Sequence, residues 1–537
     1  LQLQEMQDSL VLSWPKGKKI RLSREISKDQ FNVTVGKKRD WFELGGELTM
    51  DDGDVIAMSQ LMALMEKSSG RFLHLENGEV LALTRDLQHR LDAMRRFSDD
   101  GVFHPLASHA IDELTEGMDV RENPVWQQQI ERINQAQELQ PVIPSTLQAE
   151  LREYQVEGFS WLARIAHWGA GACLADDMGL GKTIQALALI LTRAPKGPAL
   201  VLAPTSVCMN WMDEISRFAP TLNAVYFGGL LGAENRQQCL SDAGAFDVVV
   251  CTYGLLQSEA EAFAGVQWHT IVADEAQAIK NPATKRSKAA MALQGDFKMV
   301  TTGTPIENHL GELWNIFRFI NPGLLGSLDS FGQLFAGPIE NDNDAEARQH
   351  LKKLIRPFIL RRLKSDVLTE LPSRTEITLR VEPSQEESVM YETLRRQAMD
   401  RLTQSEDNAG QQHIRVLAEI TRLRLACCNP ELVLPDAGIE SEKLKAFEAV
   451  LDELLDNRHK ALVFSQFVGH LSLIKKRLDE KGIHYQYLDG STPAKKRKQA
   501  VNDFQAGKGD VFLISLKAGG SGLNLTAADY VLHMDPW

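Results

Sequence analysis

Apolar and polar positions follow different rhythms in successive stretches of the chain. Within residues 1–140 the two rhythms are mixed. Alternation at 31–35 and 41–50 predicts strands. Val55, Met58, Leu61, Met62 and Met65 have helical spacing, which predicts a helix over 54–67 opened by Asp52 and Asp54. Asn77 and Gly78, between apolar runs at 72–75 and 80–83, predict a two-residue hairpin. Over 141–371 the pattern changes to short apolar runs, at 171–175, 199–203, 247–251, 270–273 and 299–302, separated by helix-length segments. Such alternation predicts a parallel sheet covered by helices on both faces. Residues 372–440 read as mainly helical, with helices at 385–402 and 414–427 joined by a polar loop at 403–413; the polar segment 340–348 reads as another loop. From 441 to 537 strand–helix alternation resumes, with runs at 461–464, 484–488, 511–515 and 530–533. The expected fold class is α/β, with two parallel-sheet lobes, helical insertions and an N-terminal α+β accessory region.

Composition narrows this only a little. A chain of 537 residues is too long for one core. Its 43% apolar and 24% charged content is that of a globular protein. There is no run of about twenty apolar residues, so no membrane-spanning helix is expected. The start carries Glu5 and Asp8 and does not read as a secretory signal. Cys173, Cys208, Cys239, Cys251, Cys427 and Cys428 show no CxxC spacing, and read as buried thiols in a reducing compartment rather than zinc ligands or disulfides. A net charge of −13 excludes a wholly basic nucleic-acid coat but not a local basic groove. The chain begins at Leu1 and stops at Asp535, Pro536 and Trp537, directly after a strand-like run, which reads as a truncation.

The chemistry gathers at predicted strand ends. Asp177, Met178, Gly179, Leu180, Gly181, Lys182 and Thr183 lie between an apolar strand and an apolar helical pattern, the context of a phosphate-binding loop. Gly179 and Gly181 let the backbone turn its N–H groups inward. Lys182 can reach β- and γ-phosphates, and the Thr183 hydroxyl can hold Mg²⁺. Asp176 stands where the generic motif has Gly. After the run 270–273, Asp274 is placed to hold Mg²⁺ through water and Glu275 to orient the attacking water. Carboxylates capping the next helix are the alternative. Thr302, Gly303 and Thr304 follow another strand; their hydroxyls can sense the γ-phosphate, or simply cap a Gly-Pro turn. Pro204, Thr205, Thr252 and Tyr253 also follow strands, as do Gln466, Asp489, Gly490, Ser491, Lys517, Gly519, Gly520 and Gly522 in the second lobe. Small and hydroxylated residues at sheet ends can line a nucleic-acid backbone without reading sequence, although each taken singly is also an ordinary turn. Basic residues at 352–364 and 495–498 suit either a groove or solvated helix faces.

Taken in order, these residues resemble one family. The stretches are L-R-E-Y-Q at 151–155, D-M-G-L-G-K-T at 177–183, A-P-T-S…N-W at 203–211, D-E-A-Q at 274–277, T-G-T-P-I-E-N…E-L-W at 302–314, F-I-L-R-R…K at 358–364, L-R-L-A-C-C-N-P at 423–430, V-F-S-Q-F at 463–467, L-D-G-S-T at 488–492 and K-A-G-G-S-G-L-N-L-T at 517–526. The set resembles the Swi/Snf branch of superfamily-two helicase-like ATPases, in which Asp at position 176 is normal. The resemblance implies two RecA-like lobes, with ATP binding in 141–371 and an incomplete second lobe at 441–537. It implies ATP and Mg²⁺ as cofactors and double-stranded DNA as track. It assigns Gln155 to adenine, Lys182, Asp274 and Glu275 to hydrolysis, Trp314 to the nucleic-acid surface, and Thr302, Gly303, Thr304 and Gly522 to coupling. The expected activity is a nucleic-acid-stimulated ATPase that displaces DNA-bound protein. RNA polymerase recycling and a nucleotide-gated scaffold are the alternatives. The N-terminal region resembles the accessory module of bacterial members, which implies a cytoplasmic, nucleoid-associated bacterial protein. The family's arginine-finger motif, expected after Trp537, implies that this chain binds ATP but turns it over poorly.

Overall fold

The computed structural model describes residues 21–50, 55–67, 70–75, 79–99, 101–303, 309–368, 375–403, 409–519, 523 and 525–535. It divides into two compact units, Leu1–Pro204 with Cys208–Thr369, and Glu370–Trp537 with Thr205–Val207. No described helix is long and apolar enough to cross a membrane.

The first unit holds a seven-stranded sheet in the order Asn223–Tyr226, Asp247–Thr252, Ala199–Ala203, Thr270–Asp274, Lys298–Thr301, Ala172–Leu174, Ile359–Leu360. Every pairing is parallel. Continuous apolar runs form its central strands because both faces are covered: Ala199–Ala203 and Thr270–Asp274 are buried at every position. The last strand follows the polar segment 340–348, which is not the expected loop. Its two ends lie in helices Gly337–Asn341 and Ala345–Ile355, and Asp344 caps the second by accepting from the backbone N–H groups of Glu346 and Ala347. Gly337–Asn341 is too short to show an apolar period, and the period of Ala345–Ile355 is carried by Ala347, Leu351 and Leu354, mostly beyond the polar segment.

The N-terminal residues build two small sheets, Arg21–Ile26, Glu79–Leu83 and Phe72–His74 in one, and Val55–Ala57, Trp41–Thr49, Phe31–Lys38 and Asp119–Glu122 in the other, where Val102–Phe103 also pairs with Trp41–Thr49. Val55–Ala57 is a strand, so the helix expected from 54 starts instead at Met58. Residues 52, 54, 77 and 78 lie outside the described residues. Helix Ser108–Thr115 of this region packs beside the larger sheet through aromatic contacts, with His109 edge-on to both Trp168 and Phe358, and those two rings stacked 5.0 Å apart.

In the second unit a four-stranded parallel sheet runs Tyr485–Leu488, Val511–Ser515, Ala461–Ser465, Tyr530–His533. Helices Gln385–Thr403 and Ala409–Cys428 pack through Met390, Leu394 and Ala426. The second of these starts inside the segment 403–413 that reads as a loop, because polar residues there extend the helix without adding to its apolar period.

Candidate functional site

Three adjacent strands of the first sheet, Ala172–Leu174, Lys298–Thr301 and Thr270–Asp274, end at one place. The loop 175–181 leaves the first of them and enters helix Lys182–Arg193. Gly179 and Gly181 take φ of +86° and +74°, the left-handed region that other residues enter only with strain. No side chain caps the N-terminus of that helix, so its first N–H groups point into the loop. Lys182 donates from Nζ to the carbonyl oxygens of Asp176 and Asp177, at 2.8 and 3.3 Å. Burial pulls its ammonium below the ordinary value, against the opposing pull of Glu275, Asp274, Asp176 and Asp177. A half-buried cation beside an uncapped helix start is a fit for a phosphate group.

Asp176 has a structural task that the motif alone did not reveal. Its fully buried carboxylate accepts from the Arg362 backbone N–H, from Nε at 3.1 Å and from Nη2 at 2.5 Å. Arg362 also donates to the carbonyl of Tyr154 and, at 3.0 Å, to Gln185 Oε1. Asp177 accepts from the Lys364 backbone N–H. The loop is thereby fastened at both aspartates to the segment beyond the edge strand. Gln155 lies across the loop, donating to the Leu180 carbonyl at 3.3 Å while its own Oε1 accepts from the Arg152 N–H.

Asp274 is pinned from three sides. Trp211 Nε1 donates to Oδ2 at 2.8 Å, and the Thr301 hydroxyl and the Glu275 N–H donate to Oδ1. Glu275 follows with φ of 50°. That left-handed conformation costs ~1–3 kcal/mol in a non-glycine residue and is found at functional sites. Its Oε2 accepts from Gln277 at 2.8 Å, and Gln277 Oε1 accepts from the Thr302 hydroxyl at 3.4 Å. A side-chain chain therefore links Glu275 to Thr302. Gly303 lies against Met178, where an added Cβ would come within 3.2 Å of Cγ. Thr304, Gly520 and Gly522 lie outside the described residues. Thr183 is half-buried at the helix start.

The expected nucleic-acid residues divide by burial. Thr205 is exposed and Pro204 half-buried at the end of Ala199–Ala203. Thr252 caps the next helix, its hydroxyl accepting from the Leu255 N–H. Tyr253 is buried, with its hydroxyl donating to the Asp274 carbonyl at 2.7 Å; burial first, and Asp274 second, raise it well above the ordinary value. Trp314 is also buried and donates from Nε1 to the Gly326 carbonyl. In the second unit, Gln466 takes its N–H to Asp535 Oδ2 at 2.7 Å and its Oε1 to Arg424. Asp489 accepts from the Ser491 N–H and hydroxyl, closing the turn at Gly490. Lys517 is exposed on a turn whose Ala518 carbonyl accepts from Arg497, and Gly519 packs on Phe464. Trp211, Gln185, Gln277 and Thr301 had no assigned role in the sequence, although a Gln inside the apolar helix 184–191 was a visible signal; Arg362, read with the basic residues of a groove or solvated face, is instead paired with buried Asp176.

Glu214, in helix Thr205–Phe218, is raised to about 7 by burial and then by Asp274. Above pH 7 the folded state carries that ionised carboxylate at full cost. The cost shrinks as pH falls through 7, and it vanishes below the ordinary value of 4.5, where both states are protonated. Glu214→Gln is therefore expected to raise Tm at pH 8, with the gain closing as pH approaches 5 in thermal melts. An equal gain at both pH values would refute the assignment.

Comparison with known proteins places the chain. Residues 154–432 match the SNF2-related domain and residues 442–537 the helicase conserved C-terminal domain. YwqA of Bacillus subtilis is 34% identical over 527 residues, covering 96% of this chain and 55% of its own length. The ISWI chromatin-remodeling complex ATPase CHR11 of Arabidopsis thaliana is 35% identical over 416 residues, covering 73% of this chain and 38% of its own length. The chain thus spans about half or less of these relatives. A solved structure of the Sulfolobus solfataricus SWI2/SNF2 ATPase core in complex with dsDNA is 34% identical, covers 74% of this chain and 85% of its own, and has a TM-score of 0.42.

Proposed function

The chain belongs to the SNF2-related family, and on that premise we propose that it hydrolyses ATP at the 175–183 loop to move along double-stranded DNA, shifting or displacing bound protein. The observation that carries this reading is the convergence of Lys182, Asp274 and Glu275 beyond the ends of parallel strands Ala172–Leu174 and Thr270–Asp274, which flank Lys298–Thr301, beside an uncapped helix start. Lys182 and the N–H groups of the loop bind the phosphates, Thr183 and Asp274 hold Mg²⁺, and Gln155 meets the adenine. Mg²⁺, when bound, neutralises charge developing on the phosphate oxygens. Asp274 is held in one orientation by its three donors. Glu275 orients and polarises the attacking water. Thr302, joined to Glu275 through Gln277, transmits the state of the site to Gly303 and Met178. The relationship to a chromatin-remodeling ATPase supports a duplex track, and the YwqA match along 96% of the chain supports a bacterial, cytoplasmic setting.

ATP turnover measured with duplex DNA, single-stranded DNA and RNA tests the reading. Duplex DNA is expected to stimulate most; a rate indifferent to all three would overturn it. Within the site, Trp211→Phe removes an indole hydrogen bond to the Asp274 carboxylate. Such a bond to a charged group is worth ~1.5–3 kcal/mol. The change is expected to raise the Mg²⁺ concentration for half-maximal turnover by about 10- to 100-fold. An unchanged Mg²⁺ requirement would show that the indole does not position Asp274.

A further inference from the structure

Cys428, His470 and Asp535 come from three separate stretches and meet inside the second unit. Cys428 ends helix Ala409–Cys428, His470 lies in the first turn of Val468–Glu480, and Asp535 follows strand Tyr530–His533. All three are buried, with His470 at 0% exposure, and one ligand atom from each lies within 4.8 Å of the others. Neither ring nitrogen of His470 has a hydrogen-bond partner among the described residues. Its Nδ1 is 4.0 Å from Asp535 Oδ1, beyond hydrogen-bond reach. A sealed imidazole with both nitrogens unpartnered points to a ligand, since buried polar groups are otherwise paired.

We propose that these side chains bind one transition-metal ion of the zinc class. Such an ion takes mixed sulfur, nitrogen and oxygen donors, at about 2.3 Å from sulfur and about 2.0–2.2 Å from nitrogen and oxygen. Drawing the three atoms in by about 1 Å places them on a common ion, with water in the fourth position. Cys428 gives up its thiol proton to solvent on binding, and thiolate and carboxylate together balance the 2+ charge. Asp535 already has an outer layer to orient it. Ser465 Oγ donates to its Oδ1 at 2.5 Å and the Gln466 N–H to its Oδ2 at 2.7 Å. The ion ties the end of the long helix to the ends of two parallel strands, and through Asp535 it fixes the backbone at Gln466. Cysteine spacing could not reveal this site, because its ligands are scattered along the chain rather than paired locally. The inference is independent of the proposed ATPase.

Titration of the reduced, metal-free protein with Co²⁺ tests it. One equivalent is expected to bind with a thiolate-to-cobalt charge-transfer absorption, to be displaced by Zn²⁺, and to raise Tm. Cys428→Ser is expected to abolish the absorption, His470→Gln to weaken Co²⁺ binding at least tenfold, and Cys427→Ser, at the exposed neighbouring thiol, to change neither. Absence of one-equivalent binding in the unmutated protein, or persistence of the absorption in Cys428→Ser, would overturn the proposal.

Discussion

Glu275→Gln is expected to lower ATP turnover by about 10²–10⁴-fold while nucleotide affinity changes little. Glutamine keeps the size and the hydrogen-bonding shape of the side chain but loses the charge that polarises water. The fold holds this carboxylate on a left-handed backbone, at φ of 50°, and places it 2.8 Å from Gln277. Strain of that kind persists only where the surrounding structure enforces it. The elements proposed to bind phosphate, Lys182 and the N–H groups at the helix start, are untouched by the change. Binding of a fluorescent ATP analogue alongside steady-state turnover separates the two properties. Turnover within threefold of the unmutated protein would remove Glu275 from the chemistry.

Arg362→Ala is expected to destabilise the first unit by about 3–5 kcal/mol, the typical cost of stranding one partner of a buried ion pair. Asp176 is wholly buried and Arg362 only 12% exposed, so solvent cannot replace the lost guanidinium. The same guanidinium also holds the Tyr154 carbonyl and Gln185, and lies 5.3 Å over the Tyr154 ring. Its loss therefore loosens the helix carrying Gln155, the loop and the loop's own helix together. Denaturant unfolding measures the cost. A double variant, Asp176→Leu with Arg362→Met, is expected to recover much of it, because two apolar groups leave no buried charge unpaired. A single variant as stable as the unmutated protein would show that the pair is dispensable.

Sequence pattern made nine strands of the two parallel sheets legible as short apolar runs, with limits that moved by a residue or so, but it missed Asn223–Tyr226 and Ile359–Leu360 at the two edges of the first sheet, where the strands are short and only partly buried. The strand-end position of Lys182, Asp274, Glu275 and Thr302 was legible for the same reason. What holds them was not. Arg362 reaches Asp176 across 186 positions and Trp211 reaches Asp274 across 63, and no local period encodes a partner at that distance. Burial of Tyr253 and Trp314 was hidden too, because a place after a strand does not fix the direction of a ring. Val55–Ala57 fits a helical period and a strand equally well until its pairing with Trp41–Thr49 decides it.

If ATP hydrolysis at this site drives movement along duplex DNA, the protein displaces a third strand from a DNA triplex. Release of that strand is expected with ATP, none with a non-hydrolysable analogue, and none with Glu275→Gln. Hydrolysis stimulated by duplex DNA with the third strand left in place would contradict it.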